Sequence, residues 1–188
     1  MQAQNECDMK RLNEFTIPFI GLKLGKHHFD YEIDKSFFEY FEYDDFNDVN
    51  VKANLVFDKK TTLFELHFKI SGSVNVNCDI SNEPYDQKLK GTFDLVVKFG
   101  DEFSDEFDDI LIIPHGEHEI NVAQYIYELI ILSVPAKRIH PGVKDKSLKS
   151  DILEKLKELS PNNLDEKEKT SNGNDPRWDT LKKLITDK

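Results

Sequence analysis

The sequence predicts an α+β fold: an antiparallel, partly curled β-meander, covered on one face by one long buried helix, with peripheral helices toward the C-terminus. Three observations carry this. Apolar and polar residues alternate over residues 51–57, 64–78 and 89–99, the period of half-buried strands. From Val122 to Val134 only Gln124, Glu128 and Ser133 are polar, so a helix there needs cover on most sides. Past Pro141 the chain thins into charged segments. A sheet with one apolar face and a nearly all-apolar helix each bury what the other exposes.

In chain order, "FTIPFIGLKLGKHHFDYEI" alternates, with Gly25-Lys26 as the turn between Leu22/Leu24 and Phe29/Tyr31/Ile33. Pro18 marks an edge or a strand start. "DKSFFEYFEYDDFND" suits a short helix after Asp34, and its acids read as a solvated segment. Val51, Ala53, Leu55 and Phe57 share a face, as do Phe64, Leu66, Phe68, Ile70, Val74, Val76 and Cys78. Gly72 interrupts the second row where a bulge or bend fits. After a turn at "SNEP", Leu89, Phe93, Leu95, Val97 and Phe99 line a third strand. "GDEFSDEFDD", with six acids in ten residues, reads as an exposed loop anchored by Phe103 and Phe107, and "ILIIP" as a short strand. The covering helix spans 121–134, with Asn121 and Gln124 at capping-box spacing and Pro135 ending it. The organisation is one α+β domain over 1–147, a peripheral helix over 148–160, a flexible linker over 161–174 and an amphipathic helix over 175–188. In that last helix Asp175 caps and Pro176 takes the first position.

Composition narrows the function. With 36 acids against 25 bases the net charge is -11, which disfavours indiscriminate coating of nucleic acid or anionic lipid. Cys7 and Cys78 do not make a disulfide framework and suit a reducing compartment. The first residues lack the apolar core of a signal peptide, and no run reaches the roughly 18 residues of a membrane span, so a cytoplasmic protein without membrane partner is expected.

Six histidines invite a metal or catalytic reading, His115 and His118 lying three apart and His27 and His28 adjacent. No HExxH, nucleophile elbow or phosphate loop accompanies them, so no metal, cofactor or small-molecule substrate is expected. His67 points off the apolar face of its strand, and Cys78 closes the inward row as a small buried hydrophobe. The basic stretch after the helix stands apart. Residues 136–150 carry Lys137, Arg138, Lys144, Lys146 and Lys149 against Asp145 alone. Two readings stand: a phosphate contact, or cations capping the helix dipole. Asp105, Glu106, Asp108 and Asp109 form an acidic surface that either is merely solvated or docks a basic partner, and the Arg177-Trp178 pair is a candidate anchor onto the domain or a partner.

These pieces resemble the YceD family, the large ribosomal RNA subunit accumulation proteins. The likeness rests on "VNVNCDISNEPYDQKL", on "EINVAQYIYELIILSVPAKRIHPG", similar to the family's helix followed by a Pro- and His-bearing segment, and on "NDPRWDTLKKL". Many members carry Cys-x-x-Cys at the strand end and another cysteine after the histidine, a set suited to zinc. Here Ser81 replaces the second cysteine and none follows His140, so zinc does not carry over. The resemblance implies a non-enzymatic ribosome-assembly factor that binds ribosomal RNA or a large-subunit precursor particle. Lys137, Arg138, His140, Lys144 and Lys146 are then the candidate RNA contacts, and the acidic runs either face basic ribosomal proteins or simply repel off-register RNA. The alternatives are a protein-binding adaptor built on the acidic surface and the Trp178 helix, or a small hydrolase using His115, His118 and nearby acids.

Overall fold

Alternation dictates the centre of the molecule, whose computed structural model describes residues 13–107, 109–145 and 151–159. In chain order the elements are β1 (Thr16–Pro18), β2 (Gly25–Ile33), α1 (Lys35–Tyr40), β3 (Asp48–Lys59), β4 (Leu63–Asn77), β5 (Pro84–Gly100), β6 (Ser104–Phe107), β7 (Ile110–Pro114), β8 (Glu119–Asn121), α2 (Ala123–Ser133), α3 (Pro141–Lys144) and α4 (Asp151–Leu159). Strands β2 to β5 form an antiparallel meander whose inward rows are those the alternation marks. The register between β3 and β4 runs without a slip through Gly72, which faces Val51, so the expected bulge is absent. Gly72 serves a close approach instead: a Cβ there would meet the Asn50 carbonyl oxygen at 2.2 Å.

The fold departs from an antiparallel sheet under one long helix. It is mostly β, with a six-stranded mixed sheet ordered β2-β3-β4-β5-β7-β6 and a separate β1–β8 pair. β7 inserts between β5 and β6 and runs parallel to β5. The acidic stretch expected as a loop supplies β6, an edge strand; edges keep acids in water, so their charge does not oppose pairing. Phe103 is no anchor, being 61% exposed. Gly25 and Lys26 open β2 rather than turning into it, and β1 leaves the main sheet to pair with β8.

Length explains why one helix does not close the core. The 11 residues of α2 span about 16 Å, whereas the 17 residues of β5 run about 56 Å. α2 buries Ala123, Ile126 and Ile130, while Leu132 is 83% exposed, so its far side is wet. The cover is composite. Asp34 caps α1 by accepting from the Phe37 N–H at 3.2 Å, and the segment read as solvated buries Phe37, Phe38 and Phe46. Phe41 stacks on Tyr127 of α2 with ring centres 4.1 Å apart, joining α1 to α2. β1 and β8 add Ile17 and Ile120 to the same core. α2 starts after Val122, one residue past Asn121, whose side chain still accepts from the Ala123 N–H at the helix start, while Gln124 bonds Glu128. At its other end α2 rests on Gly91 of β5, where a Cβ would meet Ser133 Oγ at 2.3 Å.

Candidate functional site: the elbow after α2

The exit of α2 is fastened to the β4–β5 turn. Val134 turns extended ahead of Pro135, and the chain then runs antiparallel past the turn that follows Asn77. Asp79 N–H donates to the Arg138 carbonyl at 2.8 Å, and Arg138 N–H donates to Asp79 Oδ2 at 2.7 Å. The same carboxylate draws Arg138 Nε to 3.5 Å, so an acid and a base 59 positions apart lock main chain and side chain together. Beside them the Cys78 sulfur accepts from the His140 N–H at 3.3 Å and the Ser81 N–H at 3.5 Å.

Cys78 is 2% exposed, yet it is not only a hydrophobe. Burial pushes its pKa up, but the His140 N–H and the donors of Ser81 outweigh burial and lower it to about 7. Ser81 is itself buried beside the sulfur, its hydroxyl lacking a well-aligned hydrogen bond. The His140 ring packs edge-on to Tyr85 at 5.4 Å, and its Nδ1 accepts from the Gly142 N–H at 2.9 Å to cap α3. Nδ1 acting as acceptor places a neutral ring's proton on Nε2. Burial, then the charges at Cys78 and Asp79, raise the Tyr85 pKa.

Among the candidate contacts, Lys137 is exposed at the apex and Arg138 is half-buried beside Asp79. A cleft of about 450 Å³ next to it is lined by Asp44, Asp45 and Asp79, so acids surround the arginine. The main chain of Lys144 ends α3, while its side chain, with Lys146, Lys149, Arg177 and Trp178, lies outside the described residues. Asp105 and Asp109 are exposed along β6 and the turn after it; the Glu106 side chain and Asp108 also lie outside the description. Asp105 lies near Tyr125 at the start of α2, the elbow beyond its end, so among the described residues Asp105 and Arg138 stand at opposite ends of that helix. The histidines scatter: His27 bonds the Lys23 carbonyl, His67 bonds Asp94 across strands, and His115 stacks on Phe99. Among the described residues no group of three or more His, Cys, Asp or Glu is placed to hold a metal. No helix among them is long and apolar enough to cross a membrane.

Sequence reading missed Asp79, the residue that organises the elbow. The available signal was an acid directly after the strand-ending cysteine, with a basic loop elsewhere and no partner assigned to it. The family described as "Large ribosomal RNA subunit accumulation protein YceD" matches residues 66–185, from within β4 onward and nearly two thirds of the chain. Comparison with curated proteins and with solved structures gives no significant match.

Proposed function

The chain belongs to the YceD family of large ribosomal RNA subunit accumulation proteins, and from that premise we propose that it is a non-enzymatic, cytoplasmic ribosome-assembly factor. It acts by binding ribosomal RNA or a large-subunit precursor particle. One observation carries the binding mode: two of the segments on which the family likeness rests, the strand end at Cys78 and the stretch after α2, close on each other through Asp79, Arg138, Cys78 and His140. Such a clasp holds a loop in one shape, as recognition requires and as a merely solvated loop does not. Asp79 cancels much of the Arg138 field. The elbow therefore offers oriented guanidinium N–H groups and the Lys137 ammonium rather than strong attraction.

The test is depletion of the protein, profiling of ribosomal particles and rescue with variants. Loss of mature large subunits, restored by the natural chain but not by one carrying Lys137→Glu and Arg138→Glu, supports the reading. Unchanged large-subunit rRNA on depletion overturns the assembly role, and full rescue by the double variant overturns the elbow's part.

A second contact is favoured by a groove of about 610 Å³ beside β6, where exposed Tyr40 and Phe103 stand over Leu111 and Ile113 and next to Asp105 and Glu119. An apolar floor with an acidic rim suits a basic segment of a ribosomal protein. Asp105→Asn with Glu119→Gln then weakens capture of basic ribosomal proteins; unchanged capture removes this contact.

A further inference from the structure

We propose that the open face of the β2–β5 meander is a docking surface for the phosphate backbone of RNA, centred on Lys69, Lys88 and Lys90. The proposal rests on the rRNA-binding reading above and adds a surface to it. The register places Lys69 opposite Thr92, Lys90 opposite Ser71 and Lys88 opposite Ser73, all on the side of the sheet turned away from the core. Lys88 and Lys90 stand about 6.8 Å apart along β5, and Lys69 is the diagonal neighbour of Lys90 at about 7–8 Å. Lys52 approaches Ser71 from the β3 side.

Pairing makes this cluster distinct. Of the acids on this face, Glu32 is ion-paired by Lys52 at 3.3 Å and Glu65 by Lys60; Asp30, Asp86 and Asp94 are hydrogen-bonded by Asn54 at 2.5 Å, Asn75 at 2.7 Å and His67 at 2.7 Å and keep their charge, as do Asp48 and Asp58 on β3. Among the described residues none of Lys69, Lys88 and Lys90 pairs with an acid. Three ammonium groups therefore project over a floor of Ser71, Ser73 and Thr92, whose hydroxyls also donate to phosphate oxygens. The outward positions of β3, β4 and β5 within the meander carry no Phe, Tyr or Trp, and the imidazole of His67 is held by Asp94, so the face reads backbone rather than bases. A polyanion is repelled by a chain of net charge -11 elsewhere, which leaves this face as an oriented landing site. Charge complementarity thus favours RNA as the occupant.

The experiment titrates the full chain against in-vitro-transcribed large-subunit rRNA fragments, by fluorescence anisotropy, from about 50 to 200 mM salt. Changing Lys69, Lys88 and Lys90 together to Glu should weaken binding by roughly tenfold or more and flatten the logarithmic salt slope by about 2. The triple change to Gln should act in the same direction with less loss, and circular dichroism checks that both variants keep the sheet. Changing Lys23, Lys35 and Lys155 to Glu should alter affinity far less. Binding by the natural chain that the triple variants leave intact, or that the control triple weakens equally, overturns this surface and leaves the rRNA reading standing. Absence of binding by the natural chain overturns both.

Discussion

The elbow after α2 and the open face of the meander carry cations in opposite ways. The elbow is the basic stretch of the sequence, five cations against one acid, yet its arginine is fastened to Asp79 and overlooked by Asp44 and Asp45. The sheet face looks balanced in sequence, yet Glu32 and Glu65 are held by other lysines while Lys69, Lys88 and Lys90 pair with no acid among the described residues. Local charge along a chain therefore says little about the field a surface presents. Cross-strand register and distant partners decide which charges remain for a ligand.

The largest way to disturb the comparison is Gly72→Ala, since Gly72 lies between the two regions on β4 and its added Cβ would meet main chain of β3. Urea unfolding should show a loss of about 3 kcal/mol or more, because backbone does not yield as a flexible side chain does. An unchanged midpoint would mean that β3 moves aside. Next is the Cys78 thiol, lowered from an ordinary value of 9.0 to about 7 in the fold. A depressed acid stabilises the fold in its ionised form, so its contribution is full above about pH 9 and fades as pH falls through about 7. That window holds about 2–3 kcal/mol. Cys78→Ala should therefore lose more stability at pH 9 than at pH 6.5; equal losses would show that the thiolate does not hold the elbow.

Asp79→Asn is smaller, about 1 kcal/mol, because the pair is half in solvent. Its value lies in function: it uncovers Arg138, so binding to rRNA should rise if the elbow meets phosphate and fall if the clasp's shape matters more. The smallest is Asp94→Asn. The exposed pair with His67 adds under about 0.5 kcal/mol. Removing the acid should leave melting unchanged and strengthen RNA binding on the sheet face a few fold.

The parts of this picture legible in the sequence are those governed by nearest neighbours. The rows Val51–Phe57 and Phe64–Val76 announce β3 and β4, because alternation is a property of the strand itself. α2 is legible as apolar, but periodicity does not state how much area lies beneath a helix, and so the share of the cover taken by α1 went unseen. Phe37, Phe38 and Phe46 were hidden by the acids between them. β6 was concealed because acidity, a good sign of solvent, does not distinguish an edge strand from a loop. Within the site, Cys78, Arg138 and His140 were each singled out, but their meeting through Asp79 depends on long-range placement. The lysines of the open face became a cluster only once the pairing register was known.

The β1–β8 pair ties positions 105 apart, the Asn121 side chain donating to Thr16 Oγ1. During translation the hairpins of β2 to β5 close early, since each joins neighbours. Their apolar side stays wet until β8 and α2 have left the exit tunnel. A nascent chain paused between Gly100 and Ser133 is thus the most aggregation-prone stage of its biosynthesis, when chaperone capture should peak.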